Sequence, residues 1–341
     1  MKQFIRIGVD LAKNSFQVHA LENEEGKAVK RKLGRTAFLA FFSDVAPCLV
    51  GMEACGPAHY WARQLQAMGF DVRLIAPSYV KPYVKRGKTD AADAEAICEA
   101  VSRPGMRFVP VRSADNQAVL MLHASRELLV KQRTTGINAL RGHLAEFGIV
   151  AAKGIGKVEI LAEAAMADAR VPDFAKTLLK GMVGRLDDIG ASITGLDRQI
   201  GLIHSGNPVS QLLAGIPGIG TVIASMMVAS VPDAHAFRTG RDFAAWLGLT
   251  PRLNSTGGKE KLGSITKQGN RRLRSLLVLG ATSLLRVAPK HQGVLRDWLA
   301  GLLARKTAKV ASVAMANKLA RIAWAVMTTG EAFRKEVFSR A

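Results

Sequence analysis

Four carboxylates sit where metal-dependent chemistry on phosphodiesters would need them. Asp10 closes an apolar run in Gly8-Val9-Asp10-Leu11-Ala12-Lys13, and Glu53 closes another in Gly51-Met52-Glu53-Ala54-Cys55-Gly56. Asp90 and Asp93 stand three apart at a predicted helix start, in Lys88-Thr89-Asp90-Ala91-Ala92-Asp93-Ala94, a spacing that puts both on one helix face. Each acid taken singly has an ordinary explanation. Asp90 could be a helix N-cap, Asp93 a solvated helix charge, and Asp10 the end of a strand turning into a loop. Together, two strand-end acids and an i, i+3 pair could hold two divalent cations about 3.5–4 Å apart and clamp a phosphodiester during cleavage. Magnesium suits an all-oxygen donor set of this kind.

A second candidate lies in the other half of the chain. Gly248-Leu249-Thr250-Pro251-Arg252-Leu253-Asn254-Ser255-Thr256-Gly257-Gly258-Lys259 runs on to Leu262-Gly263-Ser264-Ile265-Thr266-Lys267-Gln268-Gly269-Asn270-Arg271-Arg272-Leu273-Arg274. Between Pro251 and Arg274 there are seven basic residues and one acid, Glu260. A serine hydroxyl on a glycine-rich backbone in a positive field could attack phosphorus, with cations stabilising the charged transition state. A basic glycine-rich loop that only grips phosphates has the same composition, and both readings stand on chemistry alone. Upstream, Leu213-Ala214-Gly215-Ile216-Pro217-Gly218-Ile219-Gly220-Thr221 before a helical Val222 to Val231 has the form of a helix-hairpin-helix, or of a plain tight turn between helices.

Composition narrows the partners. The chain has 341 residues, 48% of them hydrophobic, and 48 Lys and Arg against 27 Asp and Glu, a net charge of +21. It can build a proper core and favours a polyanionic partner. The most apolar late stretch, Val310 to Met327, is interrupted by Lys318 and Arg321, so a membrane span is not expected. No secretion signal is read at the N-terminus, and Cys48, Cys55 and Cys98 form no zinc pattern, which fits a reducing, cytoplasmic setting.

The elements that must position these residues follow from periodicity. Strands are expected at Phe4 to Val9, Ser15 to Leu21, Lys30 to Leu33, Cys48 to Met52 and Phe70 to Ala76, with helices at Pro57 to Met68 and Asp90 to Val101. This is a mixed α/β domain containing a βαβ unit. Ile137, Leu140, Leu144 and Phe147 repeat at helical spacing on a segment bearing Arg126, Lys131, Arg133 and Arg141. Leu179, Met182, Leu186, Ile189, Ile193, Leu196, Ile200 and Ile203 then alternate steps of three and four, an a/d seam that predicts coiled-coil packing. Ser205-Gly206-Asn207-Pro208 ends it, and a compact, mainly α, basic region follows. The expected domains are residues 1–112, 113–207 and 208–341.

The segments GVDLAK, GMEACG and KTDAADA resemble the ribonuclease-H-like, RuvC-like domain of prokaryotic insertion-sequence transposases known by a DEDD tetrad. GLTPRLNSTGGK, LGSITKQGNRRLR and KVASVAMANKLARIAWAV resemble the C-terminal transposase domain of the same group, family one-hundred-ten with its eleven-eleven subgroup. The resemblance implies that Asp10, Glu53, Asp90 and Asp93 are the catalytic, magnesium-binding tetrad. It implies that Ser255, aligned with the first serine of an SSGGK-like block, becomes covalently linked to DNA. Thr256 departs from that block, and Ser264 is the weaker serine. The family further implies a structured non-coding bridge RNA and double-stranded DNA (element ends and target) as partners. It also implies dimers and tetramers in which the RuvC-like domain of one protomer meets the serine domain of another. On this footing Lys259, Lys267, Arg271 and Arg272 are expected to bind nucleic-acid backbone, and Arg126, Arg133 and Arg141 to grip RNA. A junction nuclease without a covalent step, and a non-catalytic nucleic-acid-binding protein, are the alternatives.

Overall fold

A computed structural model describes residues 1–23, 26–84, 89–152, 154–256, 259–288 and 293–334, with backbone only for 256 and 259–261. The chain divides into two compact units, Met1–Gln117 and Ala118–Ala341.

The first unit is a six-stranded mixed sheet with helices. Its elements are β1 (Arg6–Leu11), β2 (Ser15–Leu21), β3 (Ala28–Gly34), α1 (Ala37–Ser43), β4 (Leu49–Glu53), α2 (Ala58–Ala67), β5 (Asp71–Ile75), α3 (Pro77–Val80), α4 (Asp90–Val101) and β6 (Phe108–Val109). The sheet order is β3-β2-β1-β4-β5-β6. β1, β4 and β5 are parallel, whereas β2, β3 and β6 run antiparallel to their neighbours. Alternation along the strands separates two faces. Ile7, Val9, Val50 and Met52 enter one core with Phe16, Phe38, Phe42 and Trp61, whose rings meet edge to face. Gly8, Asp10, Gly51 and Glu53 alternate with those residues and so occupy the other face, where α4 lies. The expected βαβ unit is β4-α2-β5. Three sequence assignments shift. The first strand starts at Arg6 rather than Phe4 and continues through Asp10, β3 extends beyond Lys30 to Leu33 at both ends, and the aromatic segment of α1 is a helix the periodicity did not suggest.

In the second unit a helical part carries α5 (Ala114–Ala145, whose first turn closes the first unit), α6 (Val158–Ala167) and α7 (Asp173–Ser205). Then come α8 (Pro208–Ala214), α9 (Thr221–Ser230), α10 (Gly240–Trp246), β7 (Pro251–Thr256), β8 (Lys259–Ile265), α11 (Arg271–Arg286), α12 (Val294–Arg305) and α13 (Ala308–Thr329). α5 and α7 run antiparallel, because Arg126 pairs with Asp197 while Gly136, ten residues later, lies beside Leu186, eleven residues earlier. The heptad seam is largely covered within this unit. Leu179, Met182 and Leu186 join a core with Ile137, Leu140, Leu144 and Leu161, Ile193 and Ile200 are buried, and Ile203 is exposed. α13 is long and apolar enough to cross a membrane by length and composition. Its Ala311, Met315, Leu319 and Ala323 are instead part of the core formed with α8 to α12.

Candidate active site

The acid set is built by the close seating of α4 on the sheet. A Cβ on Gly8 would stand 2.2 Å from the Ala94 carbonyl oxygen and 2.4 Å from the Cys98 nitrogen, and one on Gly51 would stand 2.8 Å from Val101 Cβ. Only glycine at these positions lets a helix lie this close. Asp10 and Glu53 are each two residues further along adjacent parallel strands, on the same face, near the strands' carboxyl ends. The first turn of α4 carries Asp90 and Asp93, whose charges reach Asp10, and that of Asp93 also reaches Glu53, so the start of the helix lies near those strand ends. The helix is capped by Thr89, whose hydroxyl accepts the Ala92 N–H at 3.3 Å. Asp90 is therefore not the N-cap and its carboxylate is not consumed by capping.

Two of the four acids, Asp10 and Glu53, feel burial and the charges of their acidic neighbours. Burial pushes the half-buried Asp10 carboxyl above the ordinary aspartate value, the charges of Asp93 and Asp90 push it further, and a hydrogen bond from the Leu11 backbone opposes them. Burial likewise raises Glu53, with Asp10 and Asp93 adding to it. A half-buried acid that gathers negative neighbours is poised to gain from a cation. Among the described residues, however, no three His, Cys, Asp or Glu side chains stand in metal-holding geometry. The acids are electrostatic neighbours whose side chains do not yet converge into a ligand set.

Ser255 lies in a strand rather than in the expected flexible loop. β7 and β8 form a two-stranded antiparallel hairpin in which Ser255 pairs with Glu260 and Thr256 with Lys259. Ser255, Leu253, Leu262 and Ser264 are exposed. Gly257, Gly258 and the Lys259 side chain, and with them the expected phosphate grip of Lys259, lie outside the described residues. The hairpin is held at its base. The Lys267 N–H donates to the Gly248 oxygen at 3.1 Å, and Thr266 N–H to Thr250 at 2.9 Å. Arg274 is buried, and its Nη1 donates to Leu247 O at 2.7 Å and Gln268 O at 2.9 Å, tying the two feet together. Asn317 on α13 donates to Leu249 O at 3.1 Å. Gly248 (φ 71°) and Gly269 (φ 80°) have left-handed backbones that no side chain could share, since a Cβ would meet Gln268 O at 2.1 Å and Trp246 O at 1.8 Å. Lys267 takes φ 57° between them, and its side chain is exposed.

The other expected cations divide. Arg271 and Arg272 are exposed on the first turn of α11, and Arg272 pairs with Glu127. Arg126 is committed to Asp197. Arg141 donates to Ala152 O and Gly154 O, each at 3.0 Å, and so tethers the loop before α6. Arg133 is half-exposed. The Gly215 to Gly220 segment is a turn between α8 and α9, packed so tightly on α11 that a Cβ on Gly280 would meet Gly218 O at 2.1 Å. Sequence reading missed Gly8, Gly51 and Arg274. Their signal was weak, because glycine before a strand-end acid and an arginine within a basic run each have many other uses.

Comparisons with known proteins accord with this division. A DEDD-type transposase model of the IS110 group matches residues 7–149, and one described as "Transposase IS116/IS110/IS902 family" matches residues 210–295. A Pseudomonas aeruginosa protein named as a family 20 transposase is 48% identical over 96% of this chain and 98% of its own length. The transposase for insertion sequence element IS1328 of Yersinia enterocolitica is 39% identical over 96% of this chain and 98% of its own. The transposase for IS1111A of Coxiella burnetii is 37% identical over 98% and 92% respectively. A DEDD domain suggests a divalent metal, and a transposase acts on DNA. With two family models matching its two halves, and relatives of this identity covering nearly its whole length, the chain belongs to the IS110/IS116/IS902 family of transposases.

Proposed function

We propose that the chain cuts and rejoins the DNA of its element and its target through a serine–phosphate ester, with a RuvC-like first unit whose DEDD tetrad is Asp10, Glu53, Asp90 and Asp93. The observation that carries this reading is the mutual placement of the acids. Two parallel strands and the first turn of one helix bring the charges of Asp90 and Asp93 within electrostatic reach of Asp10, and those of Asp10 and Asp93 within reach of Glu53, where they add to the effect of burial. Their all-oxygen chemistry fits magnesium. Bound there, a magnesium ion would neutralise charge on the phosphate and orient it.

Ser255 supplies the nucleophile. Its Oγ forms an ester bond with phosphorus while the bond from phosphorus to the leaving sugar oxygen breaks. The hydroxyl proton passes to a carboxylate or to water, and the leaving oxygen takes one up. Attack by a sugar hydroxyl on the serine ester then reverses the chemistry and joins a new strand. The exposed hairpin presents the hydroxyl to a backbone, with exposed Lys267 and Arg271 following it in the chain and Arg272 paired with Glu127. Lys259 belongs to the same reading. A bridge RNA that pairs with target and donor DNA, and assembly into dimers and tetramers, complete it. Arg133 keeps its place among the RNA-binding residues, whereas Arg126 and Arg141 are better explained by their intramolecular bonds.

The test is strand cleavage on a supercoiled plasmid carrying the element ends, with the flanking non-coding RNA supplied. Cutting is expected to need Mg²⁺ and to vanish in Asp10→Asn while DNA binding persists. Cutting that survives in EDTA, or in Asp10→Asn, overturns the metal reading.

A further inference from the structure

We propose that Lys13, Gln17 and Lys32 form a subsite for the sugar–phosphate backbone of the strand whose scissile phosphate lies at the acid set; this rests on the reading that those acids act on a phosphodiester. The sheet register lays the residues out in one row. Asp10 pairs with Gln17, and Gln17 pairs with Lys32. Directly paired residues point to the same face, so Lys32 shares the face of Asp10. One step down, Gly8, His19 and Lys30 form the parallel row. Its face is fixed by two contacts with α4. Gly8 lies beneath Ala94 and Cys98, and Lys30 Nζ lies 3.1 Å from Glu95. Lys30 is thereby neutralised by the helix, whereas Lys32, two residues on, reaches the level of the acids.

Lys32 and Lys13 are exposed, and among the described residues neither makes an ion pair. Lys13 sits in the turn directly after the strand bearing Asp10. Gln17 is a half-buried amide in a strand otherwise rich in buried apolar residues, beside Asp10. An amide there can both donate to a phosphate oxygen and accept from a sugar or base. Lys32 lies two strand spacings, about 10 Å, from β1. With one charge per about 3.4 Å along a strand, that is two to three nucleotides from a phosphate at Asp10.

The competing explanation is that the lysines of β3 merely prevent edge-to-edge pairing of sheets. It does not account for Gln17 on an inner strand or for Lys13 in the turn. It also expects no DNA at position 32.

A photo-crosslinking residue at position 32, or at exposed Gln66 on α2 across the sheet as control, tests this in the Asp10→Asn background with duplex carrying the element end. The expected result is a crosslink several-fold stronger at 32 than at 66, mapped within about three nucleotides of the cut bond. Equal yields, or a crosslink elsewhere on the duplex, overturn the subsite. A Lys13→Gln/Lys32→Gln variant with unchanged melting should lower the salt dependence of binding by about two units of slope, and an unchanged slope overturns it independently. If the Asp10→Asn protein cuts, the acid reading fails whatever position 32 touches, so the two failures are told apart.

Discussion

The acids and the serine sit on opposite kinds of scaffold. Asp10 and Glu53 are half-buried at the ends of core strands, and Asp90 and Asp93 start the helix that two glycines let press on that sheet. Ser255 is exposed on a hairpin held at its feet by Arg274, Asn317 and two left-handed glycines. On the proposed reading, in which the acids hold a cation and Ser255 attacks DNA, the difference fits the two tasks. A cation site needs its donors held apart against their repulsion, which a rigid core can do. A nucleophile that must enter and leave a DNA backbone needs a firm base and an exposed side chain, as Ser255 has.

That contrast can be broken at several points. The largest effect is expected at the helix–sheet contact. Gly8→Ala drives a methyl into the α4 backbone and should destabilise the first unit by about 3 kcal/mol or more, whereas Gly56→Ala, with open space around it, should stay within about 0.5 kcal/mol. Thermal melting compares them. Next comes Arg274→Met, which leaves two carbonyls at the hairpin feet without their charged donor and should cost about 2–3 kcal/mol. It should also slow ester formation more than it weakens DNA binding, and an unaltered ratio of the two would show that the feet do not position the serine.

Asp10→Asn should have a smaller effect of opposite sign. Because its pKa is raised in the folded protein, the folded state binds protons more readily than the unfolded chain, and stability falls as pH rises through the folded value. Removing the charge should therefore raise the melting temperature near neutral pH, with the gain shrinking as the pH is lowered into the carboxylate range. Mg²⁺ should stabilise the wild type and not this variant. Smallest of all is Ser255→Ala, an exposed site, expected within about 0.5 kcal/mol of wild type by chemical denaturation.

Much of the first unit was legible in the sequence. Strict alternation in β1 and β4, and acids directly after apolar runs, announce both the strands and the site. α4 was legible in its bounds, because Arg103-Pro104-Gly105 ends it and the Asp90/Asp93 pair starts it, although Thr89 rather than Asp90 is its cap. The hairpin of β7 and β8 was not recognised, although Gly257-Gly258 between two runs is a hairpin signal, because Asn254, Ser255 and Lys259 to Lys261 carry little strand propensity. Charge alone also failed to say which arginines are free. Arg126 and Arg141 look like any basic residues on a helix until Asp197 and two loop carbonyls are found beside them. The heptad seam gave an apolar stripe on a long helix, but spacing does not say whose side chains cover it; part of it lies against α5 and α6 of the same unit.

The most direct measurement is denaturing electrophoresis of protein–DNA adducts formed on element-end DNA with Mg²⁺ and the flanking RNA. Wild type is expected to give a covalent adduct whose mass-mapped linkage is at Ser255. Ser255→Ala is expected to bind the same DNA and give none, and Asp10→Asn none either. An adduct that persists in Ser255→Ala, or strand cutting there without any adduct, would contradict the serine ester and leave the acids as those of a nuclease.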